Sequence, residues 1–252
     1  MAKVYFLGTG SAYPSSTRDN TSLLFSFENR NILVDVSGNP ARKLKELKKS
    51  LREIDTILFT HTHIDHIYGL PSLLWGMWLE NRTEPLTIYV DERFKVHLSK
   101  WFETIELSDW GIQFAIHVQT FQGDSIATII DSDELKVRTF PAKHSVPTVG
   151  LEILYNDKRI VYSADSEINS HINEYNYIDF LIHEATFAKK RSAFHSSMEE
   201  VLTSYNLQKV NSIIFVHLTD HEPYEEVCQT FLQESKVGND IQIAYELMKV
   251  EI

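Results

Sequence analysis

The sequence lacks the features that mark secreted and membrane-spanning proteins. Cys228 is the only cysteine, so no intrachain disulfide can form, which is typical of proteins of the reducing cytoplasm. The apolar run at residues 4–7 is too short for a signal peptide. No run of apolar residues is long enough to cross a bilayer. We therefore expect a cytoplasmic protein that has no membrane partner.

The sequence is also poor in positive charge. Its 24 lysines and arginines are outnumbered by 35 aspartates and glutamates, and the formal net charge is −11. This balance argues against a broad nucleic-acid-binding surface, and no arginine-rich arm is present. The count leaves out any bound metal ion, which would add positive charge locally.

The chain contains no low-complexity tract and no linker rich in glycine, proline or serine. A chain of 252 residues is long enough to bury a substantial core. We therefore predict a single domain over residues 1–252.

Short apolar runs recur along the whole chain, and their length and β-branched content predict strands. Between them lie amphipathic or aromatic segments that predict helices. Strands come in blocks separated by helices in both halves of the chain. This order predicts an α/β fold with two sheets packed face to face and helices outside, a four-layer αββα sandwich. The predicted strands are 4–7, 23–27, 32–36, 56–59, 86–90, 126–130, 135–140, 149–155, 159–162, 180–182, 212–216 and 241–244, and the predicted helices are 40–50, 68–80, 196–205 and 223–233.

Residues 61–66 read His-Thr-His-Ile-Asp-His and place four metal-ligand side chains directly after an apolar run. Imidazole nitrogens and carboxylate oxygens are good ligands for Zn²⁺ and similar divalent ions. Alternation along the backbone lets His61 and His63 point the same way, while Asp65 and His66 turn toward a neighbouring point. Two ligand pairs aimed at adjacent points favour a dinuclear metal site. The alternative is a polar loop in which histidines happen to cluster.

Further ligand-type side chains stand where predicted strands end. They are His144, Asp165 and His217. Strand ends are where loops carry chemistry on a rigid scaffold. Each of these residues alone is more often a hydrogen-bonded structural side chain, but together they can complete a dinuclear set.

These motifs and several others resemble the metallo-β-lactamase fold superfamily, and within it the ribonuclease Z branch. The resemblance runs over nearly the whole chain and implies the metallo-β-lactamase fold. Asp35 is similar to the aspartate that supports the metal-binding loop in that superfamily. The segments that carry the resemblance are Leu-Gly-Thr-Gly-Ser at 7–11, Arg-Asp-Asn-Thr-Ser at 18–22, the 61–66 segment and Gly-Leu-Pro at 69–71.

The resemblance implies two divalent metal ions, zinc by preference with manganese or iron as alternatives. It implies that Asp165 bridges them, and we count Asp65 among the catalytic residues as well as the ligands. The implied ligands of one ion are His61, His63 and His144, and those of the other are Asp65, His66 and His217.

The same resemblance assigns a proton-donating pair to Glu184, in the segment His-Glu-Ala-Thr-Phe at 183–187, and to His195. A carboxylate bound to one ring nitrogen fixes the tautomer, so that the imidazole can protonate a leaving oxygen. The alternatives are a buried salt-bridge partner for Glu184 and a residue at a helix N-terminus for His195. We interpret His183 as structural, since neighbours on a strand face opposite ways.

Ribonuclease Z proteins insert a long arm, which grips tRNA, between the third histidine and the bridging aspartate. In this chain, a predicted hairpin of strands 149–155 and 159–162 fills the interval between His144 and Asp165. The arm is therefore absent from this position.

The predicted function is that of a dinuclear metal-dependent hydrolase, a phosphodiesterase related to ribonuclease Z. In this reading a metal-activated hydroxide attacks phosphorus. The expected substrate is a phosphodiester, either a small molecule or RNA, and a homodimer is an allowed assembly. One alternative is a carboxylic-ester, lactone or thioester hydrolase that uses the same site. A different class of alternative is a non-catalytic metal-binding module.

Overall fold

The computed structural model describes residues 2–234 and 238–252, and the chain divides into two compact units. Unit 1 comprises residues 1–8, 16–122 and 245–252, and unit 2 comprises residues 9–15 and 123–244. Each unit contains one seven-stranded sheet of its own.

The sheet of unit 1 begins antiparallel and continues parallel. Its order is β14-β1-β2-β3-β4-β5-β6, with parallel pairing from β3 through β6. The strands are β1 (Lys3–Gly8), β2 (Ser22–Ser26), β3 (Asn31–Val34), β4 (Thr56–Leu58), β5 (Leu86–Asp91), β6 (Ile116–Phe121) and β14 (Lys249–Glu251), and the helices are α1 (Pro40–Glu46), α2 (Ile64–Ile67), α3 (Leu70–Leu79) and α4 (Lys95–Thr104).

The core of unit 1 forms where helices pack on this sheet. Helix α3 buries Leu70, Leu73, Leu74 and Met77, which recur at the spacing of one helix face. They pack in one cluster with strand residues such as Ile57. Every residue of β4 is buried, so the loop that leaves this strand starts from a rigid position.

Arg82 is the largest fully buried side chain of this unit, at 1% exposure. Its guanidinium donates to the carbonyl oxygens of Glu84 (2.7 Å), Leu51 (3.3 Å), Arg52 (3.1 Å) and Pro85 (2.7 Å). These bonds supply acceptors to a charged side chain that is itself buried.

The sheet of unit 2 has the order β13-β12-β11-β10-β9-β8-β7, with parallel pairing from β10 through β13. Residues of its strands and helices form a second core cluster. The strands are β7 (Ala127–Asp131), β8 (Leu135–Ala142), β9 (Thr148–Tyr155), β10 (Lys158–Tyr162), β11 (Ile178–Glu184), β12 (Val210–Val216) and β13 (Asp240–Ile243), and the helices are α5 (Ser170–Glu174), α6 (Met198–Ser204) and α7 (Tyr224–Glu234).

The twelve predicted strands and four predicted helices each overlap an element of the structure. The predicted hairpin is present as the antiparallel pair β9–β10. Helix α1 is shorter than predicted and ends at Glu46. Lys48 adopts a left-handed conformation, with φ of 57°, and such a residue commonly terminates a helix.

Five elements were not predicted from the sequence, namely β6, β14, α2, α4 and α5. Helices α2 and α5 have only four and five residues. Strand β6 lies at a sheet edge and half of its side chains are exposed, so it lacks a continuous apolar run. Helix α4 buries only Leu98 completely, so its apolar periodicity is weak. Strand β14 has three residues, too few for a recognisable pattern. Within residues 2–234 and 238–252, no helix has both the length and the apolar character needed to cross a membrane.

Candidate metal centre and acid pair

In unit 1, the residues of the 61–66 segment lie where β4 ends and α2 begins. His61 follows the buried strand and is 2% exposed, and His66 on α2 is fully buried. Asp35 stands just past the neighbouring parallel strand β3, at a left-handed φ of 58°. Its backbone N–H donates to the Leu58 carbonyl at 2.9 Å. The register between these two strands therefore brings the Asp35 carboxyl to the start of the histidine loop.

Ligand atoms of this segment stand in close pairs. His61 Nε2 lies 3.2 Å from His63 Nδ1, and His66 Nε2 lies 3.3 Å from Asp65 Oδ2. Ligands 2.0–2.1 Å from a tetrahedral ion are about 3.3–3.4 Å apart. The spacing of both pairs and the chemistry of their donor atoms fit a divalent metal ion.

Asp35 holds this loop through its carboxyl oxygens. Oδ1 accepts the Thr60 backbone N–H at 2.8 Å, and Oδ2 accepts the Thr60 hydroxyl at 2.8 Å. His66 Nδ1 lies 2.7 Å from Oδ2. Burial raises the pKa of Asp35, while His66 and Thr60 act against that rise. With His66 Nδ1 directed at Asp35, its Nε2 is the nitrogen left to bind a metal.

In unit 2, the predicted residues gather at one edge of the sheet. Strands β10, β11 and β12 are parallel neighbours, so their carboxyl ends meet at the same edge. Asp165 follows β10, Glu184 ends β11 and His217 follows β12. Ala164 and His217 have positive φ values of 52° and 58°, which turn the chain sharply at two of these ends. His144 follows β8.

Distances within unit 2 place these side chains together. Asp165 Oδ2 lies 3.0 Å from His217 Nε2, close to the spacing of two ligands on one ion. The rings of His195 and His217 stack with centroids 5.4 Å apart, and the His144 ring meets the His195 ring edge-on at 4.8 Å. His144 Nδ1 lies 2.8 Å from the Phe194 carbonyl oxygen, which directs its Nε2 away from that backbone.

Glu184 is fully buried and its carboxyl group accepts hydrogen bonds on both oxygens. Oε1 accepts the Ser166 backbone N–H at 2.9 Å and lies 2.9 Å from His195 Nδ1. Oε2 accepts the Thr186 backbone N–H at 3.0 Å and the Thr186 hydroxyl at 2.8 Å. The side chain of His195 is 23% exposed, so one edge of this pair reaches solvent.

His183, beside Glu184, is directed elsewhere. Its Nδ1 lies 2.7 Å from the Glu184 carbonyl oxygen and its Nε2 lies 3.0 Å from the Tyr205 hydroxyl. Burial lowers the pKa of His183. This arrangement suits the structural role predicted for it.

The structure thus brings four predicted ligands together in unit 1. In unit 2 it gathers three predicted ligands beside the Glu184–His195 pair. The metal-binding and proton-donating roles themselves stay predictions. Thr60 and Thr186, which contact the carboxylates, were not predicted from the sequence. Their only signal was their position, with Thr60 next to His61 and Thr186 two residues after Glu184.

Comparison with known proteins places the chain in a family. Residues 2–237 match the family model described as Anti-Pycsar protein Apyc1. Ribonuclease Z of Methanococcus maripaludis strain C6 is 27% identical, over 99% of this chain and 99% of that protein.

Two solved structures carry the same fold over the full length of the chain. The metallo-β-lactamase fold protein YhfI of Bacillus subtilis has a TM-score of 0.81 at 19% identity, covering 100% of this chain and 99% of that one. The short form of human tRNase Z has a TM-score of 0.79 at 23% identity, covering 99% of both chains. The predicted α/β sandwich of the metallo-β-lactamase fold and the resemblance to ribonuclease Z are confirmed.

The family match spans nearly all of the chain, and the donor residues fit a divalent metal ion. The chain belongs to the Anti-Pycsar protein Apyc1 family and is a ribonuclease Z-like, metal-dependent hydrolase of the metallo-β-lactamase fold.

Proposed function

We propose that the protein is a dinuclear metal-dependent phosphodiesterase. The donor chemistry of the two residue sets and the 3.0–3.3 Å spacing of their ligand pairs support this proposal. Bound ions supply Lewis acidity, which activates water and stabilises negative charge on phosphoryl oxygens. In the proposed centre His61, His63 and His144 would hold one ion, Asp65, His66 and His217 would hold the other, and Asp165 would be a ligand shared by both.

Within this chain, Asp35 and Thr60 orient the ligands of the 61–66 segment. The Asp35 carboxyl binds Thr60 and His66, so the histidine loop leaves β4 in one conformation. Such supporting residues fix the tautomer and ring orientation of ligand histidines, and their loss typically lowers metal affinity or activity about 10–100-fold. Asp65 would contribute both as a ligand and as a negative charge that attracts the ions.

The observation that carries the reaction type is the 2.9 Å contact between His195 Nδ1 and Glu184 Oε1. With Nδ1–H donated to the carboxylate, Nε2 is the ring atom that can hold a proton for transfer. We assign to it the protonation of the departing oxygen. An alkoxide leaving phosphorus benefits strongly from such a placed acid, which favours a phosphodiester over other esters.

The substrate is a phosphodiester, either RNA or a small molecule. The negative net charge and the hairpin between His144 and Asp165 favour substrates that need no extended basic surface. Zinc is the proposed ion, with manganese and iron as alternatives. The proposal also holds that the chain forms a single domain, that the protein is cytoplasmic and that it assembles as a homodimer.

The test is to replace one proposed ligand from each set. His63→Ala and Asp165→Ala should each abolish metal-dependent hydrolysis of bis-p-nitrophenyl phosphate while the circular dichroism spectrum stays that of the wild type. His117→Ala is the matched control, because His117 is an exposed residue of edge strand β6. Full turnover by either ligand variant would overturn the proposal.

Activity measurements on the same purified protein distinguish the phosphodiesterase from the alternative functions. Under metal titration, faster hydrolysis of p-nitrophenyl acetate than of the phosphodiester would indicate a carboxylic-ester, lactone or thioester hydrolase. Tight metal binding with no turnover of any ester would indicate a non-catalytic metal-binding module. A panel of pre-tRNA, short single-stranded RNA, cyclic nucleotides and simple phosphodiesters then defines the substrate class.

A further inference from the structure

Both units contain the same hydrogen-bond pattern around one threonine. In unit 1, Thr60 donates its backbone N–H and its hydroxyl to Asp35, each at 2.8 Å. The Thr60 hydroxyl oxygen also lies 3.0 Å from Nδ1 of His61. A second histidine, His66, directs its Nδ1 at the same carboxylate.

In unit 2, Thr186 repeats this arrangement. It donates its backbone N–H at 3.0 Å and its hydroxyl at 2.8 Å to Glu184. The Thr186 hydroxyl oxygen lies 2.9 Å from Nδ1 of His217. His195 directs its Nδ1 at the same carboxylate, 2.9 Å from Oε1, and lies 3.1 Å from the threonine oxygen.

The donor and acceptor capacity of a hydroxyl decides the direction of these bonds. A threonine hydroxyl has one proton and two acceptor sites, whereas an ionised carboxylate can only accept. The Thr186 proton is therefore committed to Glu184. Its oxygen can contact His217 only as an acceptor, so His217 carries its proton on Nδ1. Nε2 of His217 keeps its lone pair, and this is the atom 3.0 Å from Asp165 Oδ2.

We propose that Thr60 and Thr186 are positioning residues that set the tautomers of His61 and His217 for metal binding. This inference rests on the proposed metal-binding function. Each threonine hydroxyl donates its proton to a carboxylate and so can only accept from the histidine on its other side. In this way the carboxylate fixes the tautomer of a histidine that it does not contact directly. In unit 2 the same carboxylate also holds His195. Thr186 thus links the proton-donating pair to a proposed metal ligand.

The first test observes the tautomer directly in metal-free protein. In ¹⁵N-histidine-labelled samples, long-range ¹H–¹⁵N spectra at mildly alkaline pH should show the Nδ1–H form of His217, identified by its absence in His217→Gln. Thr186→Val removes the hydroxyl but keeps the side-chain volume, and it should yield a mixture of tautomers. Thr186→Ser should restore the Nδ1–H form. An unchanged Nδ1–H tautomer in Thr186→Val would overturn the proposal.

The second test measures Zn²⁺ affinity by competition with a chromophoric chelator. Thr186→Val should lower the affinity for one of the two Zn²⁺ ions about 10–100-fold, as expected for the loss of a residue that orients a ligand. Thr186→Ser should bind Zn²⁺ with the affinity of the wild type. Thr139→Val is the matched control, because Thr139 is a fully buried residue of β8 whose hydroxyl faces the Ala127 carbonyl. Equal Zn²⁺ affinity in Thr186→Val and the control would contradict the role.

Thr60→Val provides an independent variant in the other unit. If Thr186→Val does not fold, the tautomer of His61 and the Zn²⁺ affinity of Thr60→Val decide the question in the same way. Failure of the proposed function is recognised separately. A wild-type protein that binds Zn²⁺ and has the expected tautomers, but hydrolyses no phosphodiester, would refute the phosphodiesterase and leave the threonine role intact.

Discussion

Replacing Glu184 with glutamine keeps the size of the side chain and removes its charge. The carboxylate accepts from Ser166 N and His195 on one oxygen, and from Thr186 N and the Thr186 hydroxyl on the other. A glutamine amide has one acceptor oxygen and one NH₂ group. In either orientation of the glutamine amide, its NH₂ group faces two hydrogen-bond donors that the carboxylate oxygen accepted from. The orientation with the NH₂ group facing Thr186 costs less stability, because the Thr186 hydroxyl can rotate to accept a hydrogen bond from the amide.

The expected loss follows from these contacts. A buried donor without an acceptor costs about 1–3 kcal/mol. In the less costly orientation only the Thr186 backbone N–H loses its acceptor, so the free energy of unfolding should fall by about 1–3 kcal/mol. His195 also loses the charged partner that orients it. Since a placed general acid contributes about 10²–10⁴-fold to rate, kcat should fall by about this factor on a phosphodiester with an alkyl leaving group.

The assay combines urea unfolding with steady-state kinetics at saturating metal, at a temperature where the variant is fully folded. Asp179→Asn is the control, because Asp179 is also a buried carboxylate of β11 and accepts from Lys158 Nζ and Arg159 N, both at 2.9 Å. It should lose stability and keep its kcat. A folded Glu184→Gln protein with the kcat of the wild type would refute the assignment of the acid pair.

Two further outcomes follow from the structure. His195→Gln should lower kcat about 10²–10⁴-fold when the leaving group is an alkoxide and far less when it is p-nitrophenolate, which departs without a proton; equal losses on both substrates would point to a structural role. Arg82→Met should lower the free energy of unfolding by about 1–3 kcal/mol, because the buried Leu51 carbonyl loses its donor. Urea unfolding measures this loss, and kcat/KM at matched folding should not change.

Much of the fold could be predicted because the apolar patterns that mark its strands and helices are local in the sequence. Strand β4 reads as a continuous apolar run in a buried position, and helix α3 repeats its apolar residues with helical spacing. Edge strand β6 and helix α4 were missed for the opposite reason. Their side chains are largely exposed, and pairing with β5, a tertiary contact, is what makes β6 a strand.

The candidate ligands were also recognisable, since four of them stand within one short segment and the others follow strand ends. Their hydrogen-bond partners were not. Asp35 reaches Thr60 because β3 and β4 pair in parallel with Val34 opposite Leu58. Neither residue type nor spacing along the chain shows that register.

The sequence by itself determined which side chains can bind a metal, which apolar runs become strands, and the resemblance that named the fold. Only the tertiary structure decided that Thr186 lies between Glu184 and His217. The alignment of β11 with β12, with Glu184 opposite Val216, places these residues side by side. The physical reason is that a hydrogen bond requires a donor and an acceptor at a definite distance and angle. Strand register sets that geometry between residues far apart in the chain.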